Sequence, residues 1–258
     1  MIEVAGFRKR YGRHLAVAGI DLTAAPGRVT ALLGPNGAGK STTIRAITGL
    51  LRPTAGSVRV VGHDVVRQPL AAKRALGYVP DRPYLYGKLT ARELLRFVAR
   101  LREVADGEAR IERWLGAFGL AEVGNELVET YSHGMRQKLT FAVAMLPDPE
   151  VLVVDEPMVG LDPRAARHVR ELLRGHADRG RTVLLTTHAM DVAESLADHV
   201  VVLHQGRVAA RGDVADLGLA AGVAEADLEA IFLRLTEEAE AVAPPWRDVT
   251  GEPSRSRA

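Results

Sequence analysis

Three stretches far apart in the chain carry residue types suited to polyphosphate chemistry. "GPNGAGKST" supplies Gly34, Pro35, Asn36, Gly37, Ala38, Gly39, Lys40, Ser41 and Thr42, between the apolar run "VTALL" and the helix pattern "STTIRAITGLL". Glycines there let the backbone turn so that successive N–H groups point inward. A helix opening at the same place adds partial positive charge, so a polyphosphate is held largely by main chain. Lys40 adds a full charge for the β- and γ-phosphates, and the Ser41 hydroxyl suits Mg²⁺. "VLVVDEP" reads as a buried strand with Asp155 at its carboxyl end, where open parallel sheets bind ligands, placed to hold the same Mg²⁺. Glu156 follows, a carboxylate suited to polarise an attacking water as general base. "TTHAM" puts His188 at the end of the next strand, on the same sheet edge, where an imidazole can donate to a terminal phosphate. Alone, a strand-end histidine reads as a surface residue; its neighbours give it a role. His14, His63, His168, His176, His199 and His204 have no such neighbours and read as structural.

A fourth stretch, "YSHGMRQK", runs on into "LTFAVAML". Ser132 and Gly134 stand at the mouth of that helix, a position that attracts an anion. No base, nucleophile or metal ligand stands beside them.

The elements that must position these groups follow from periodicity. "IEVAGF", "GIDLTA" and "GSVRVVG" are short alternating runs that suggest a small antiparallel layer, and "VTALL", apolar on both faces, a buried parallel strand. From Leu85 to Leu146 the period becomes helical. Thr90 and Glu93 form a capping box, with Leu94, Leu95, Val98 and Leu101 expected on one face. After "PDPE" strands and helices alternate through "VLVVDEP", "DPRAARHVRELL", "TVLLTTH", "MDVAESLA" and "HVVVLHQG", which argues a parallel sheet flanked by helices. The helical lobe is therefore inserted into an α/β core. "AEADLEAIFLRLTEEAEA" fits one more amphipathic helix, and from Pro244 the composition is that of a frayed tail.

Bulk composition narrows the function classes. The chain has 258 residues, 47% hydrophobic and 26% charged, an ordinary globular balance. Its apolar runs are strand-sized, far short of the roughly 18 residues of a membrane span, and "MIEVAGFRKRYG" does not read as a secretory signal. With no cysteine, disulfides and thiolate metal sites are excluded, which fits a reducing cytosol. Net charge is +2 with acids and bases interleaved, so no nucleic-acid partner is expected.

Taken in order, "GPNGAGKST", "YSHGMRQK", "VLVVDEP", "GLDP" and "TTH" resemble the nucleotide-binding subunit of ATP-binding-cassette (ABC) transporters over roughly residues 1 to 210. The resemblance implies a P-loop NTPase core with an N-terminal antiparallel β subdomain and an inserted α-helical subdomain. The ATPase domain is then expected over 1–215, its core at 1–84 and 147–215 and its lobe at 85–146. A C-terminal helical extension at 216–243 and a disordered tail at 244–258 follow. ATP and Mg²⁺ are the implied cofactors. Ser132 and Gly134 belong to the signature motif, which completes the nucleotide site of a second, facing subunit, a copy or a paralogue. Asp162 of "GLDP" lies in the segment that passes between the two sites, and Tyr11 matches the aromatic that stacks on adenine. Simple packing is the alternative for Tyr11.

Two departures stand out against the family pattern. The usual signature is Leu-Ser-Gly-Gly-Gln, where this chain has Tyr131, His133 and Met135 at the first, third and fifth positions. Ser-X-Gly-Met variants are similar to many single-domain export subunits. In "GYVPD", Asp81 replaces the usual glutamine; it can accept but not donate, which leaves it Mg²⁺ or a water to meet.

In the family, the region around "RPYLYGKLTARELLRFVARL" docks an integral-membrane permease, for which Tyr84, Leu85 and Tyr86 would supply an apolar groove; the alternative is that they cap the lobe's own core. The expectation is a cytoplasmic ATPase, peripheral on the inner face of the membrane through that permease. Export is favoured, because no extra β domain follows the core and "LEAIFLRLTEE" resembles the closing helix of drug, lipid or polysaccharide export subunits. The alternatives are an import-type subunit and a soluble regulatory switch. A small-molecule kinase would need neither "YSHGMRQK" nor "GLDP".

Overall fold

The run "VTALL" forms strand β3 (Val29–Leu33), buried at every position, so it must lie inside a sheet covered on both faces. A computed structural model of the chain, describing residues 1–158, 160–213, 216, 217, 228 and 230–232, supplies the cover. β3 lies between β8 (Thr182–Thr186) and β9 (His199–His204), parallel to both. Beyond β8 come β7 (Val151–Asp155) and β6 (Leu76–Val79), again parallel. Beyond β9 the sheet ends at β10 (Arg207–Gly212), which runs antiparallel.

A second, antiparallel sheet has the order β2-β1-β4-β5, from β1 (Ile2–Tyr11), β2 (His14–Ala24), β4 (Ala55–Val60) and the short β5 (His63–Asp64). Its apolar side, with Ile2, Phe7, Ile20 and Val58, shares one buried cluster with Ile44 and Ile47 of α1 (Lys40–Ile47) and with Leu32, Val153 and Leu184 of the parallel sheet. Helix α1 is thus clamped between two sheets, which fixes the loop that precedes it.

On the other face, Leu33, Val154, Leu185 and Val202 join a second cluster with Val169 and Leu173 of α6 (Pro163–Asp178) and the inserted lobe. The lobe is built from α3 (Ala91–Leu101), α4 (Gly107–Ala117), a 3-10 turn at Val128–Thr130 and α5 (His133–Met145). α3 starts where its capping box dictates. Thr90 Oγ1 accepts from Glu93 N at 3.2 Å and Glu93 Oε2 accepts from Thr90 N at 2.8 Å, a cap of about 1 kcal/mol. Two further helices among the described residues are α2 (Pro69–Arg74) and α7 (Met190–Leu196).

Several expectations need adjusting. Leu94 and Leu95 are buried, but Val98 is half-buried and Leu101 lies exposed at the end of α3, turned away from the lobe core. α1 begins at Lys40, one residue before "STTIRAITGLL", and stops at Ile47. β5, β6, β10 and α2 are too short or too polar for periodicity to have shown. The expected C-terminal extension and tail lie outside the described residues, apart from 216, 217, 228 and 230–232, of which Leu217, Leu228 and Ile231 are buried against the main cluster.

Candidate nucleotide site

The phosphate loop is shaped by glycines that could be nothing else. At Gly34 a side chain would place Cβ 2.3 Å from the Leu203 carbonyl oxygen, so the loop passes directly against the end of β9. Gly39 caps α1 with φ +106°, and a Cβ there would meet Ala16 O at 3.0 Å. Around Gly37 there is open space, as backbone that must meet a ligand requires. α1 has no acidic residue in its first turn, leaving its N-terminal N–H groups to an anion.

Lys40 is buried and turned back on its own loop, donating to Gly34 O at 2.5 Å and Pro35 O at 3.3 Å. Burial lowers its pKa below the usual lysine range, while the Glu156 and Asp155 charges act in the opposite sense. An ammonium held by two carbonyl dipoles in this way can exchange them for phosphate oxygens.

Parallel pairing of β7 with β8 assembles the rest. Asp155 stands opposite Thr186 in the register, and the Thr186 hydroxyl donates to Asp155 Oδ1. Burial raises the Asp155 pKa, a rise that the Thr186 bond and the Lys40 charge oppose and the Asp81 and Glu156 charges reinforce. One residue on, Glu156 has left-handed backbone, φ +51°, with its N–H donating to Thr186 O at 3.0 Å. The turn projects its carboxylate beside His188, whose Nδ1 lies 2.9 Å from Glu156 Oε1. Since an ionised carboxylate only accepts, Nδ1 carries the proton. The ring can then donate from Nε2 to a phosphate only as the imidazolium, a condition that residue type alone did not reveal.

Tyr11, His14 and Ala16 border the loop around a cavity of about 270 Å³. Tyr11 is half exposed, and Lys9 Nζ sits 5.2 Å from its ring centroid while donating to Arg52 O at 2.9 Å. His14, read as structural from sequence, lines this cavity. The signal was the tight Gly12–Arg13 turn, which pairs His14 with Tyr11 across the hairpin. A larger groove of about 760 Å³, between the lobe and α6, contains no residue of the phosphate loop and neither Asp155 nor Glu156. Convergent backbone donors, rather than size, locate the site.

Asp81 is exposed, just beyond the end of β6, close enough for its charge to be felt at Asp155. Among the described residues no three His, Cys, Asp or Glu side chains are grouped to hold a metal. Mg²⁺ takes one or two carboxylates and completes its shell with waters and substrate phosphates, a donor set of the kind that Asp155 offers.

Ser132 is exposed and caps α5, its Oγ accepting from Met135 N at 3.3 Å. No residue of 131–138 lines the phosphate-loop cavity. Asp162 caps α6 in the same manner, Oδ1 accepting from Ala165 N at 2.8 Å.

A family model described as "ABC transporter" matches residues 17–159, more than half of the chain. The chain belongs to the ABC transporter family. This ABC ATPase is 42% identical over 218 residues to the daunorubicin resistance ATP-binding protein DrrA3 of Streptomyces coeruleorubidus, covering 84% of this chain and 69% of the relative. It is 39% identical over 213 residues to the Nod factor export ATP-binding protein I of Paraburkholderia xenovorans (strain LB400), covering 82% and 70%. A solved ATP-binding subunit of an ABC transporter superimposes with a TM-score of 0.88 at 33% identity, covering 92% of this chain and 99% of the other. The chain is an ATPase that uses ATP and Mg²⁺. Among the described residues no helix is long and apolar enough to cross a membrane.

Proposed function

We propose that this ABC ATPase powers export through a separate integral-membrane permease, working as a symmetric pair or beside a close paralogue. The observation that carries the two-chain reading is the separation of Ser132 from the phosphate-loop cavity, whose walls include no residue of the signature stretch. α1 packs on β1, β2, β4 and β7, whereas α5 packs on β6, α3 and α4. That separation supports an α5 mouth that serves a second chain's nucleotide.

Within each site the loop from Gly34 to Thr42 wraps the phosphates and Lys40 neutralises their charge. Tyr11 stacks on adenine. Asp155 and Ser41 are the groups that would hold Mg²⁺, which offsets charge on the β- and γ-oxygens when bound. Asp81 would accept from a water beside that ion. Glu156 takes a proton from the attacking water, and His188, hydrogen-bonded to Glu156 through Nδ1, orients that carboxylate and, as the imidazolium, donates from Nε2 to the terminal phosphate. Ser132 and Gly134 of the facing chain close the site over the γ-phosphate, while Asp162 lies in the segment passing between the two sites. ATP thus joins two chains, and hydrolysis releases them, moving the permease between two states.

The export reading rests on relatives named for drug resistance and Nod factor export and on the Ser-X-Gly-Met form of the signature. On the lobe, Tyr84 and Tyr86 are 84% and 64% exposed, and Tyr86 meets Phe97 edge-on at 6.2 Å. Leu85, by contrast, packs inward. The exposed aromatics form the surface on which the permease seats the chain at the inner face of the membrane. Light scattering on the Glu156→Gln chain tests the pair: with MgATP it is a stable dimer, and a monomer under those conditions contradicts the proposal.

A further inference from the structure

The departures from the usual signature at Tyr131 and Met135 turn inward. Tyr131 is buried and donates its hydroxyl to Val123 O at 2.8 Å, and Met135 packs against the main core. His133 does not turn inward. It is the exposed first residue of α5, and its ring lies against Gly160. A methyl group on Gly160, whose φ is +76°, would sit 2.4 Å from His133 Cδ2 and 2.6 Å from Nε2. The same backbone comes close to the signature glycine, since a methyl on Gly134 would lie 3.6 Å from Gly160 O. Two residues beyond Gly160 stands Asp162, the cap of α6.

We propose that His133 is a positioning residue: its imidazole latches the turn at Gly160 to the mouth of α5. The two capped helix ends, at Ser132 and at Asp162, then reach the partner's nucleotide as one rigid donor. The inference rests on the two-chain reading above and adds to it a reason for histidine at the third signature position. Glycine there would leave the α5 mouth and the Gly160 turn with only backbone between them. The bare Cα of Gly160 is the other half of the contact, because any larger residue would push the ring away. The latch acts on geometry, where a displacement of about 1 Å costs up to roughly 10²-fold in rate.

The test is ATP turnover by the full-length chain, read separately from ATP binding. His133→Ala lowers kcat about tenfold by loosening the donor, with the Kd for ATP and the melting temperature unchanged because the phosphate loop is untouched. His133→Asn, which restores a flat side chain over Gly160, recovers most of the loss. Gly160→Ala lowers kcat strongly when His133 is present and much less in the His133→Ala background. An undiminished kcat in His133→Ala overturns the latch, as does an equal fall in ATP binding. So does a Gly160→Ala cost that is the same with and without the imidazole. Ser132→Ala run in parallel separates the two levels: loss there but not with His133→Ala overturns the latch alone, and loss with neither overturns the two-chain reading beneath it.

Discussion

His188 Nδ1 and Glu156 Oε1 lie 2.9 Å apart at the ends of neighbouring parallel strands. Glu156 is largely buried and His188 largely exposed, so the histidine reaches in from the solvent side to orient a carboxylate that the β7 turn has already placed. Removing the base in Glu156→Gln should lower single-turnover hydrolysis by roughly 10²- to 10⁴-fold, about 3 to 5 kcal/mol. His188→Ala leaves the carboxylate present but unoriented, so its loss should be the smaller, roughly 10-fold to 10²-fold. Measured phosphate release that falls further for His188→Ala than for Glu156→Gln would reverse the assignment of the base.

Lys9 sits over the ring of Tyr11, which borders the cavity. Tyr11→Ala should weaken ATP by roughly 1 kcal/mol, about fivefold, by removing a stacking face. Lys9→Met should weaken it by about 0.5 to 1 kcal/mol. Tripolyphosphate, which has no base, should bind both variants as it binds the parent. Calorimetric titration with the two ligands checks this, and equal losses for both would show that the loop itself had moved.

The exposed pair Tyr84 and Tyr86 can be replaced without opening a cavity, since neither contributes to the buried cores. Tyr84→Ser with Tyr86→Ser should leave the free energies of ATP binding and of folding within about 0.5 kcal/mol of the parent. Recovery of the chain with the membrane fraction of cells expressing the permease should fall. Unchanged membrane recovery would move the docking surface elsewhere.

His176 is fully buried in α6. Burial, reinforced by the nearby Arg179 charge, pushes its pKa down to about 4. The sign follows from linkage: between about pH 4 and 6.5 the unfolded chain binds this proton and the folded chain does not, so stability falls as the pH is lowered through that window. The loss amounts to about 2 to 4 kcal/mol. Because the side chain that meets its Nδ1, Arg179 at 3.1 Å, is exposed and can turn to solvent instead, His176→Leu should fold and should flatten the urea midpoint against pH over the same range. A variant with the parent's slope would place the acid sensitivity elsewhere.

The order of motifs and the two-layer architecture were legible in the chain because they rest on local chemistry. The "VTALL" strand announces its two-sided burial, Thr90 and Glu93 announce the start of α3, and the glycines announce the loop. What pairing and packing decide was not legible. β10 is an edge strand whose alternating burial depends on β9 beside it. His14 enters the site through a hairpin register rather than a motif. Leu101 carries the helical period onto an exposed surface. The tautomer of His188 follows from a distance that no spacing in the chain encodes.

Complementation between two disabled chains measures the central claim. Lys40→Ala removes the charge that holds the phosphates and Ser132→Ala removes the cap donated across the pair, so each chain alone should turn over ATP poorly. In an equal mixture the pair containing one of each has one whole site, built from Lys40 of one chain and Ser132 of the other. Turnover should return to about a quarter of the parent's, the share expected for random pairing in a two-fold dimer. A mixture no more active than its two components would contradict the account, because it would place Lys40 and Ser132 in the service of the same chain's nucleotide.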